Sequence, residues 1–466
     1  MKRLVIYFHF DAQGVVDVPC RYTVAAMQQW GQLVFVTNGT LEPASRSWLA
    51  QNGIAVLERQ NVGFDVGAYR EALYHVGREE LAKYEELVLM NYTLAGPVFP
   101  LETMFAVMDR RPELAFWGLT RHYAMRSRRF GGRVPEHLQS HFLAVRAQLF
   151  SQDSFWEYWR TMSLPRSYEE SVICHETRFT AYFARQGFGW DSYVDTSDLA
   201  PIFVNPIMAC PRELVQNRGC PFFKRRSFFT PYEDELRRTD GNAAGELQAY
   251  LRHNTAYPLD DLLRSLLRTQ PLAVLAKNLH WLYPVPEAAG KKAVDDLAQR
   301  GLCLLHFAPL QADAVTQWYF QESAHWADAH LQQAVELFDR IPLLGVLSPQ
   351  LPAWPKARQA AECAWRTESV RNAKTFAVPV GRETPPAPCA GWALVRKAAF
   401  PQGIPKPDVW RLPLEAQQNG YASAYFTSEE QLAGESVQLA SYMHAATQPA
   451  MLAKQLARLL KHTLKH

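Results

Sequence analysis

The sequence predicts an α/β fold in which helices flank a mainly parallel sheet. Short apolar segments typical of strands alternate with helical patterns through the first half of the chain. Polar and glycine residues concentrate where the predicted strands give way to helices. Hydrophobic residues make up 48% and charged residues 20% of the chain, which allows a large core and excludes a disordered protein.

The alternation can be followed element by element. Strands are predicted at residues 4–10, 33–37 and 54–57, with helices between them at 24–30 and 45–51. Further along the chain, helices are predicted at 68–76 and 101–108, and strands at 86–90 and 114–119. Strands joined through helices run parallel, and ligands of such sheets bind beyond the carboxyl ends of the strands. We therefore expect the functional residues in the loops between strands and helices.

Length, charge and cysteine content narrow the class of protein. A chain of 466 residues is long enough for two or three domains. The net charge of +3 is too small for the strongly basic surface that is typical of nucleic-acid-binding proteins, so no nucleic-acid partner is expected. The seven cysteines form no Cys-x-x-Cys pair, which predicts a reducing compartment such as the cytoplasm and argues against a zinc site. Without a run of 18 apolar residues, no membrane-spanning helix is expected.

The most informative segment is residues 59–70, RQNVGFDVGAYR, between a predicted strand and a predicted helix. Gly63 and Gly67 lack a Cβ and let the backbone approach a ligand, while the helix N-terminus offers unpaired N–H groups. Arg59 and Arg70 add charge-assisted donors. The segment predicts a site for a phosphate-bearing ligand. An ordinary glycine turn with surface charges is the alternative.

Six segments in order resemble a known family. The matching residues are Arg59, Asn61, Gly63, Asp65, Gly67 and Ala68; Asn91 with Gly96 and Pro97; Trp117 to Thr120; His137 to Phe142; Glu176 with Gly187 and Phe188; and Cys220 to Lys224. Together they resemble nucleotide-sugar glycosyltransferases of the GT-A type. They are most similar to the rhamnan synthesis protein F family of bacterial polysaccharide rhamnosyltransferases, over residues 1–230.

The resemblance implies a GT-A-like, Rossmann-type domain with transferase activity. It implies an inverting glycosyltransferase that moves L-rhamnose from dTDP-rhamnose onto a growing bacterial surface polysaccharide or lipopolysaccharide glycan, such as an O-antigen, on a lipid carrier. A catalytically weakened subunit that binds glycan or a partner enzyme is the alternative. The alternative is favoured by Tyr92, which stands where the family usually has an acid.

The resemblance also assigns residues to the donor. The expected nucleotide and diphosphate contacts are Arg59, Asn61, Gly63 and Asp65, and the expected donor-sugar contacts are Asn91 and Thr93. Related enzymes hold a divalent cation on the diphosphate through acids at this strand end, because a hard cation prefers oxygen ligands. Here the triplet is Asn91-Tyr92-Thr93, which puts dependence on Mg²⁺ or Mn²⁺ in doubt and leaves Asp65 as the best candidate ligand.

Glu176 is the predicted catalytic base. An inverting transferase needs a carboxylate opposite the leaving diphosphate to take the proton of the acceptor hydroxyl. Glu176 is expected at the start of a helix, eleven residues before Gly187, a spacing that the resemblance to inverting GT-A enzymes supports. The alternative is that Glu176 only complements the dipole of that helix in its first turn.

A segment of alternating polarity, residues 136–143, predicts one strand with His137, Gln139 and His141 on the same face. Such a face could touch the acceptor or the donor sugar. His137 and Gln139 are therefore candidate substrate-binding residues, and a structural role for the histidine is the alternative.

The chain is expected to divide into four parts. A transferase-like domain at residues 1–232 and a helical connector at 233–295 precede a second, degenerate α/β domain at 296–446, which lacks the motifs of the first. Residues 447–466 place leucines on one helical face and lysines with an arginine on the other. This pattern predicts peripheral binding to the inner face of the cytoplasmic membrane. Packing on its own domain or on a second subunit is the alternative.

Overall fold

The chain divides into two compact units, Met1–Ser265 and Leu266–His466. The computed structural model describes residues 1–130, 132–236, 239–287 and 297–436. The helix predicted at residues 447–466 lies outside these ranges. Within them, no helix combines the length and the apolar character that a membrane crossing requires.

The first unit is built on a seven-stranded sheet. In chain order the strands of this unit are β1 Arg3–His9, β2 Gln32–Asn38, β3 Ala55–Arg59, β4 Glu86–Asn91, β5 Leu94–Ala95, β6 Leu114–Gly118, β7 Arg121–His122, β8 Met125–Ser127, β9 Gly132–Val134, β10 His137–Leu138, β11 Phe142–Arg146, β12 Gly189–Ser192 and β13 Phe223–Lys224. The sheet order is β12-β6-β11-β4-β1-β2-β3, and only β11 runs antiparallel to its neighbours. The predicted mainly parallel sheet is confirmed.

Helices cover both faces of this sheet. They are α1 Val18–Gln28, α2 Pro43–Gln51, α3 Phe64–Val76, α4 Arg78–Leu81, α5 Glu102–Asp109, α6 Ala147–Phe150, α7 Asp153–Thr161, α8 Tyr168–Ser171, α9 Thr177–Ala184, α10 Pro206–Ala209, α11 Pro211–Gln216, α12 Tyr232–Leu236, α13 Ala243–Asn254 and α14 Leu259–Thr269, in which the unit boundary falls. Successive strand residues point to opposite faces. Thus Val5 packs with Val24 of α1 in one core, whereas Ile6 packs with Leu73 of α3 in the other.

Two helices near the predicted site begin earlier than their apolar pattern suggests. Helix α1 starts at Val18 because the Asp17 side chain accepts from Cys20 N and a proline occupies its first turn. Helix α3 starts at Phe64, directly after Gly63, whose φ of 77° is in the left-handed region that favours glycine. Asp65 therefore lies in the first turn of α3 rather than in the loop before it.

The second unit has a five-stranded sheet of its own. Its elements are β14 Leu282–Val285, β15 Leu302–His306, β16 Leu344–Pro349, β17 Trp392–Arg396 and β18 Ala422–Ser428, with helices α15 Leu272–Asn278, α16 Ala314–Ala329, α17 Leu331–Arg340, α18 Pro355–Asn372 and α19 Arg411–Gln418. The order is β14-β18-β16-β17-β15, and β17 runs antiparallel to both neighbours. A second α/β unit is present, as expected, while its descent from a transferase domain stays a prediction.

Candidate active site

The polar side chains that the loops supply meet at one edge of the first sheet. The parallel strands β3 and β4 end there, and β11 begins there because it runs antiparallel to β4, with Phe142 opposite Met90. The helical segment that contains α8 and α9 and the short strand β13 complete the edge. We call the following residues the carboxylate site: Asp65, Asn91, Thr93, Ser140, Glu176 and Lys224.

Asp65 accepts hydrogen bonds at both carboxylate oxygens. Its Oδ2 accepts from Asn91 Nδ2 at 3.0 Å and from Ser140 Oγ at 3.1 Å. Its Oδ1 accepts from Val66 N at 3.0 Å and from Ser171 Oγ at 3.4 Å. Burial raises the pKa of Asp65, and the negative charge of Glu176 raises it further. Asp65 thus anchors the turn after β4 to the residues that precede β11.

Glu176 shares the Ser140 hydroxyl with Asp65. Its Oε2 accepts from Ser140 Oγ at 2.9 Å, and its Oε1 lies 3.4 Å from Nε2 of His137. The Glu176 side chain is 20% exposed, so it can reach a bound molecule. Burial acts to raise the pKa of Glu176, but the hydrogen bond and charge of His137, with the charge of Lys224, hold it well below its usual range. The carboxylate is ionised at neutral pH.

Glu176 does not lie at a free helix terminus. The helix α9 begins directly after it, but a π-helical turn, Val172–Glu176, and helix α8 precede it. The preceding turns occupy the place where unpaired N–H groups would otherwise lie. The expectation that Glu176 lies at the start of a helix is therefore wrong, and the explanation by the helix dipole loses the free terminus on which it depends. A π-helical turn inside an α-helix occurs frequently at functional sites.

The triplet after β4 holds itself in place by local hydrogen bonds. Asn91 Oδ1 accepts from Thr93 N at 3.1 Å and from Thr93 Oγ1 at 2.5 Å. The Tyr92 ring lies among aromatic rings, with centroid distances of 5.8 Å to Phe8 and 6.5 Å to Phe10. Asn91 and Thr93 thus belong to the carboxylate site, whereas Tyr92 packs against the end of β1.

Lys224 supplies the positive charge of the site. Strand β13 pairs antiparallel with β5, with Lys224 opposite Leu94, and Lys224 Nζ donates to Thr93 Oγ1 at 3.1 Å. Burial lowers the pKa of Lys224 to about 8, although the charges of Glu176 and Asp65 raise it. Lys224 and Ser140 were not predicted as site residues, although both lie in segments that resemble the family.

The residues present do not fit a divalent cation. A hard cation needs several oxygen ligands, and the strand end supplies an amide and a hydroxyl in place of acids. The oxygens of Asp65, the expected ligand, accept from Val66 N, Asn91 and Ser171 and share the Ser140 proton with Glu176, and the charge of Lys224 lowers the pKa of Asp65. Among the described residues, no group of three or more His, Cys, Asp or Glu side chains is arranged to hold a metal.

Arg59 and Asn61 hold the loop after β3 rather than joining the carboxylate site. The Arg59 side chain is 5% exposed, and its guanidinium donates to Glu71 Oε2 at 2.6 Å and to Val62 O at 3.0 Å. Asn61 Oδ1 accepts from Asn38 Nδ2 at 3.1 Å. These side chains, which the sequence suggests as phosphate ligands, thus bind the protein itself.

The glycines of this loop are needed for close packing. A Cβ on Gly67 would lie 2.8 Å from Val62 O and 3.2 Å from Leu164 Cδ2. A Cβ on Gly63 would lie 2.7 Å from Leu164 Cδ2 at a backbone conformation that L-residues avoid. Both glycines let α3 start directly beneath the loop.

The strand predicted at residues 136–143 is interrupted, so that prediction was wrong. Strand β10 ends at Leu138, a turn at Ser140 and His141 follows, and β11 begins at Phe142. The turn breaks the alternation and directs Ser140 toward the carboxylates. His137 still reaches Glu176, but Gln139 is buried and accepts from Thr120 Oγ1 at 2.9 Å.

A protein-family model matches this chain and shows the family to which it belongs. Residues 33–301 match the model of the family described as rhamnan synthesis protein F. This match spans more than half of the chain and includes every residue of the carboxylate site. The chain therefore belongs to the rhamnan synthesis protein F family, as its motifs predict.

A curated relative covers only part of the chain. An uncharacterized protein, y4gN, from Sinorhizobium fredii is 25% identical over 175 residues, which is 37% of this chain. The aligned part is 43% of that protein, so the chain spans less than half the length of the curated relative.

Comparison with solved structures finds only distant similarity. The mannosyltransferase PcManGT from Pyrobaculum calidifontis, in complex with GDP-Man and Mn²⁺, is 10% identical, with a TM-score of 0.28 over 41% of this chain and 54% of that one. The galactosyltransferase LgtC, with donor and acceptor sugar analogues, is 11% identical, with a TM-score of 0.24 over 40% and 72%. A cytidylyltransferase from Leptospira borgpetersenii is 12% identical, with a TM-score of 0.24 over 42% and 76%. Likenesses this distant do not identify a reaction.

Proposed function

We propose that this chain is an inverting glycosyltransferase that uses a nucleotide-sugar donor. The observation that carries the proposal is the pairing of Asp65 and Glu176 through the Ser140 hydroxyl at the carboxyl edge of a mainly parallel sheet. Ligands of such sheets bind at this edge. Membership of the rhamnan synthesis protein F family supports L-rhamnose, carried by dTDP, as the transferred sugar.

Glu176 is the proposed base. The acceptor hydroxyl oxygen attacks the anomeric carbon, the bond from that carbon to the diphosphate breaks, and Glu176 takes the hydroxyl proton. A base must be ionised before it can act, and the low pKa of Glu176 meets this requirement at neutral pH. His137 and Ser140 hold the carboxylate, one at each oxygen.

The donor is proposed to lie along the loop after β3 and the turn after β4. Backbone N–H groups around Gly63 face the nucleotide and diphosphate in this arrangement, with Arg59 and Asn61 fixing the loop. Asn91 and Thr93 lie next to Asp65 and Lys224, where the donor sugar would meet the base. Arg59, Asn61, Gly63 and Asp65 thus act mainly by shaping the donor site.

The proposed acceptor is a growing surface glycan on a lipid carrier at the inner face of the cytoplasmic membrane. The basic amphipathic pattern of residues 447–466 supports this part of the proposal, because such a helix is attracted to anionic lipids. Residues 447–466 lie outside the described part of the chain, so the support comes from the sequence pattern.

A transferase-like subunit that binds without turnover is the second candidate. It is favoured by Tyr92, whose ring packs with Phe8 and Phe10 at the position where a family acid is expected. Such a subunit would bind a nucleotide sugar or a glycan and present it to a partner enzyme.

A donor panel separates the two candidates. Purified protein is incubated with dTDP-rhamnose, UDP-glucose and GDP-mannose, each with a membrane extract that supplies acceptors, and release of the nucleoside diphosphate is measured. We expect release from dTDP-rhamnose. Thermal stabilisation by dTDP-rhamnose without release would favour the binding subunit over the transferase. The absence of both release and stabilisation with every donor would overturn both candidate functions.

A further inference from the structure

Lys224 is fixed beside the turn that follows β4. Its backbone belongs to β13, which pairs with β5 directly after that turn. Arg225 N donates to Thr93 O at 2.9 Å, so the residue after Lys224 is held against the same turn. The Lys224 side chain itself reaches Thr93 Oγ1. Main-chain pairing at β13 therefore fixes the backbone of Lys224, and the bond to Thr93 Oγ1 places its ammonium at the turn.

The Lys224 ammonium acts electrostatically on both carboxylates, and Thr93 accepts only one of its hydrogen bonds. Its charge lowers the pKa of Asp65 and of Glu176. An ammonium has three hydrogen-bond donors, and Thr93 takes one of them. An anion that enters the carboxylate site would meet this ammonium next to Asn91 and Thr93.

The two carboxylates leave little room for a metal ion. A carboxylate offers about four lone-pair sites; Asp65 accepts from Val66 N, Asn91 and Ser171 and shares the single Ser140 proton with Glu176. The neighbouring ammonium would repel a dication from Glu176 as well. The donor set is thus suited to a cationic side chain instead of Mg²⁺ or Mn²⁺.

We propose that Lys224 binds the diphosphate of the donor and takes the place of a divalent cation. This inference rests on the proposed transferase function. When the bond from the anomeric carbon to the diphosphate breaks, the electron pair stays with the diphosphate oxygen, and the Lys224 ammonium offsets that negative charge. The proton of the acceptor hydroxyl goes to Glu176, so Lys224 keeps its own.

Calorimetric binding of dTDP in the presence of EDTA tests this role. Thymidine is the ligand control because it lacks the diphosphate. Lys224→Met keeps the length of the side chain without its charge, Lys224→Arg keeps the charge, and Lys83→Met is a matched control at an exposed lysine outside the site. Thermal unfolding of each variant verifies that it is folded.

We expect dTDP to bind the wild-type protein in EDTA. Lys224→Met should weaken dTDP binding about tenfold to a hundredfold, the range of one hydrogen bond to a charged group, and leave thymidine binding unchanged. Lys224→Arg should keep most of the affinity, and Lys83→Met should match the wild type.

The other outcomes distinguish failure of this inference from failure of the proposed function. Binding of dTDP that needs added Mn²⁺ or Mg²⁺, or that Lys224→Met leaves unchanged in EDTA, overturns the role of Lys224 and leaves a transferase in place. Absence of binding for dTDP, UDP and GDP with and without metal overturns both. If Lys224→Met does not fold, the dTDP affinity of Lys224→Arg and of the wild type is compared at neutral and moderately alkaline pH. A loss of affinity in the wild type alone supports the role of Lys224, because only lysine loses its charge at moderately alkaline pH, and an equal response of the two proteins overturns it.

Discussion

The protein should bind dTDP about tenfold more weakly at pH 9 than at pH 7, because the charge of Lys224 is lost over that interval. Burial lowers the pKa of Lys224 to about 8; Arg226 also lowers it, and Glu176 and Asp65 raise it. With a pKa of about 8, about nine-tenths of the ammonium is charged at pH 7 and about one-tenth at pH 9. The ratio of these fractions gives a loss of about tenfold if the neutral amine contributes nothing to binding, and about fivefold if it keeps one-tenth of the affinity.

The charge of the ligand and the Lys224→Arg variant show whether the alkaline loss of affinity comes from Lys224. The diphosphate keeps its charge between pH 7 and pH 9, since the second pKa of a phosphate is near 6. Lys224→Arg should remove the alkaline loss, because a guanidinium stays charged throughout this range. Calorimetry with dTDP in EDTA at pH 7, 8 and 9 measures both proteins. The reasoning is refuted if wild-type affinity is constant, or if Lys224→Arg loses affinity to the same extent.

Three further changes test other parts of the account. Ser140→Ala removes a donor from both Asp65 and the proposed base Glu176, so the acid limb of the pH–rate profile, which reports the base, should move to higher pH; an unmoved limb would contradict the shared hydrogen bond. Gly67→Ala should lower the melting temperature, with a cost of about 1–3 kcal/mol from overpacking against Val62 O, whereas Gly434→Ala, with open space around its Cβ, should not; equal melting temperatures would refute the close contact. Deleting residues 447–466 should abolish salt-dependent binding to anionic liposomes in a flotation assay, and retained binding would exclude the tail as the anchor.

Most of the sheet was predictable because β1 to β4 and β6 each carry an apolar pattern, whereas β12, Gly189–Ser192, has none and was missed. The segments at β1 to β4 are short, apolar and separated by helical patterns, which is enough to predict parallel pairing and the edge at which the site forms. The starts of α1 and α3 were less predictable, since they depend on a cap at Asp17 and on the left-handed Gly63 rather than on apolar periodicity.

The site could be predicted in part. Asp65, Asn91 and Glu176 come from three separate segments, and the structure brings them together with Ser140. Ser140 was missed because an apparently continuous alternating strand hides the turn between β10 and β11. Lys224 was missed because its place depends on the pairing of two strands of only two residues each, for which the sequence has no clear pattern.

The direction of a side chain is the feature that sequence analysis predicted least well. Arg59 has the chemistry of a phosphate ligand, yet its guanidinium binds Glu71 and the Val62 carbonyl. Gln139 has the chemistry of a sugar ligand, yet it is buried against Thr120. Whether a polar side chain faces a ligand or the protein depends on packing around it, which a residue pattern does not contain.

The central claim is that Glu176 is the base of a glycosyl transfer. Release of dTDP from dTDP-rhamnose with membrane acceptors is measured for the wild type, for Glu176→Gln and for Glu170→Gln, an exposed control on the same helical segment. The account predicts that Glu176→Gln loses about 10²–10⁴-fold in turnover while dTDP binding is kept, and that Glu170→Gln matches the wild type. Turnover by Glu176→Gln within a few fold of the wild type would contradict the account.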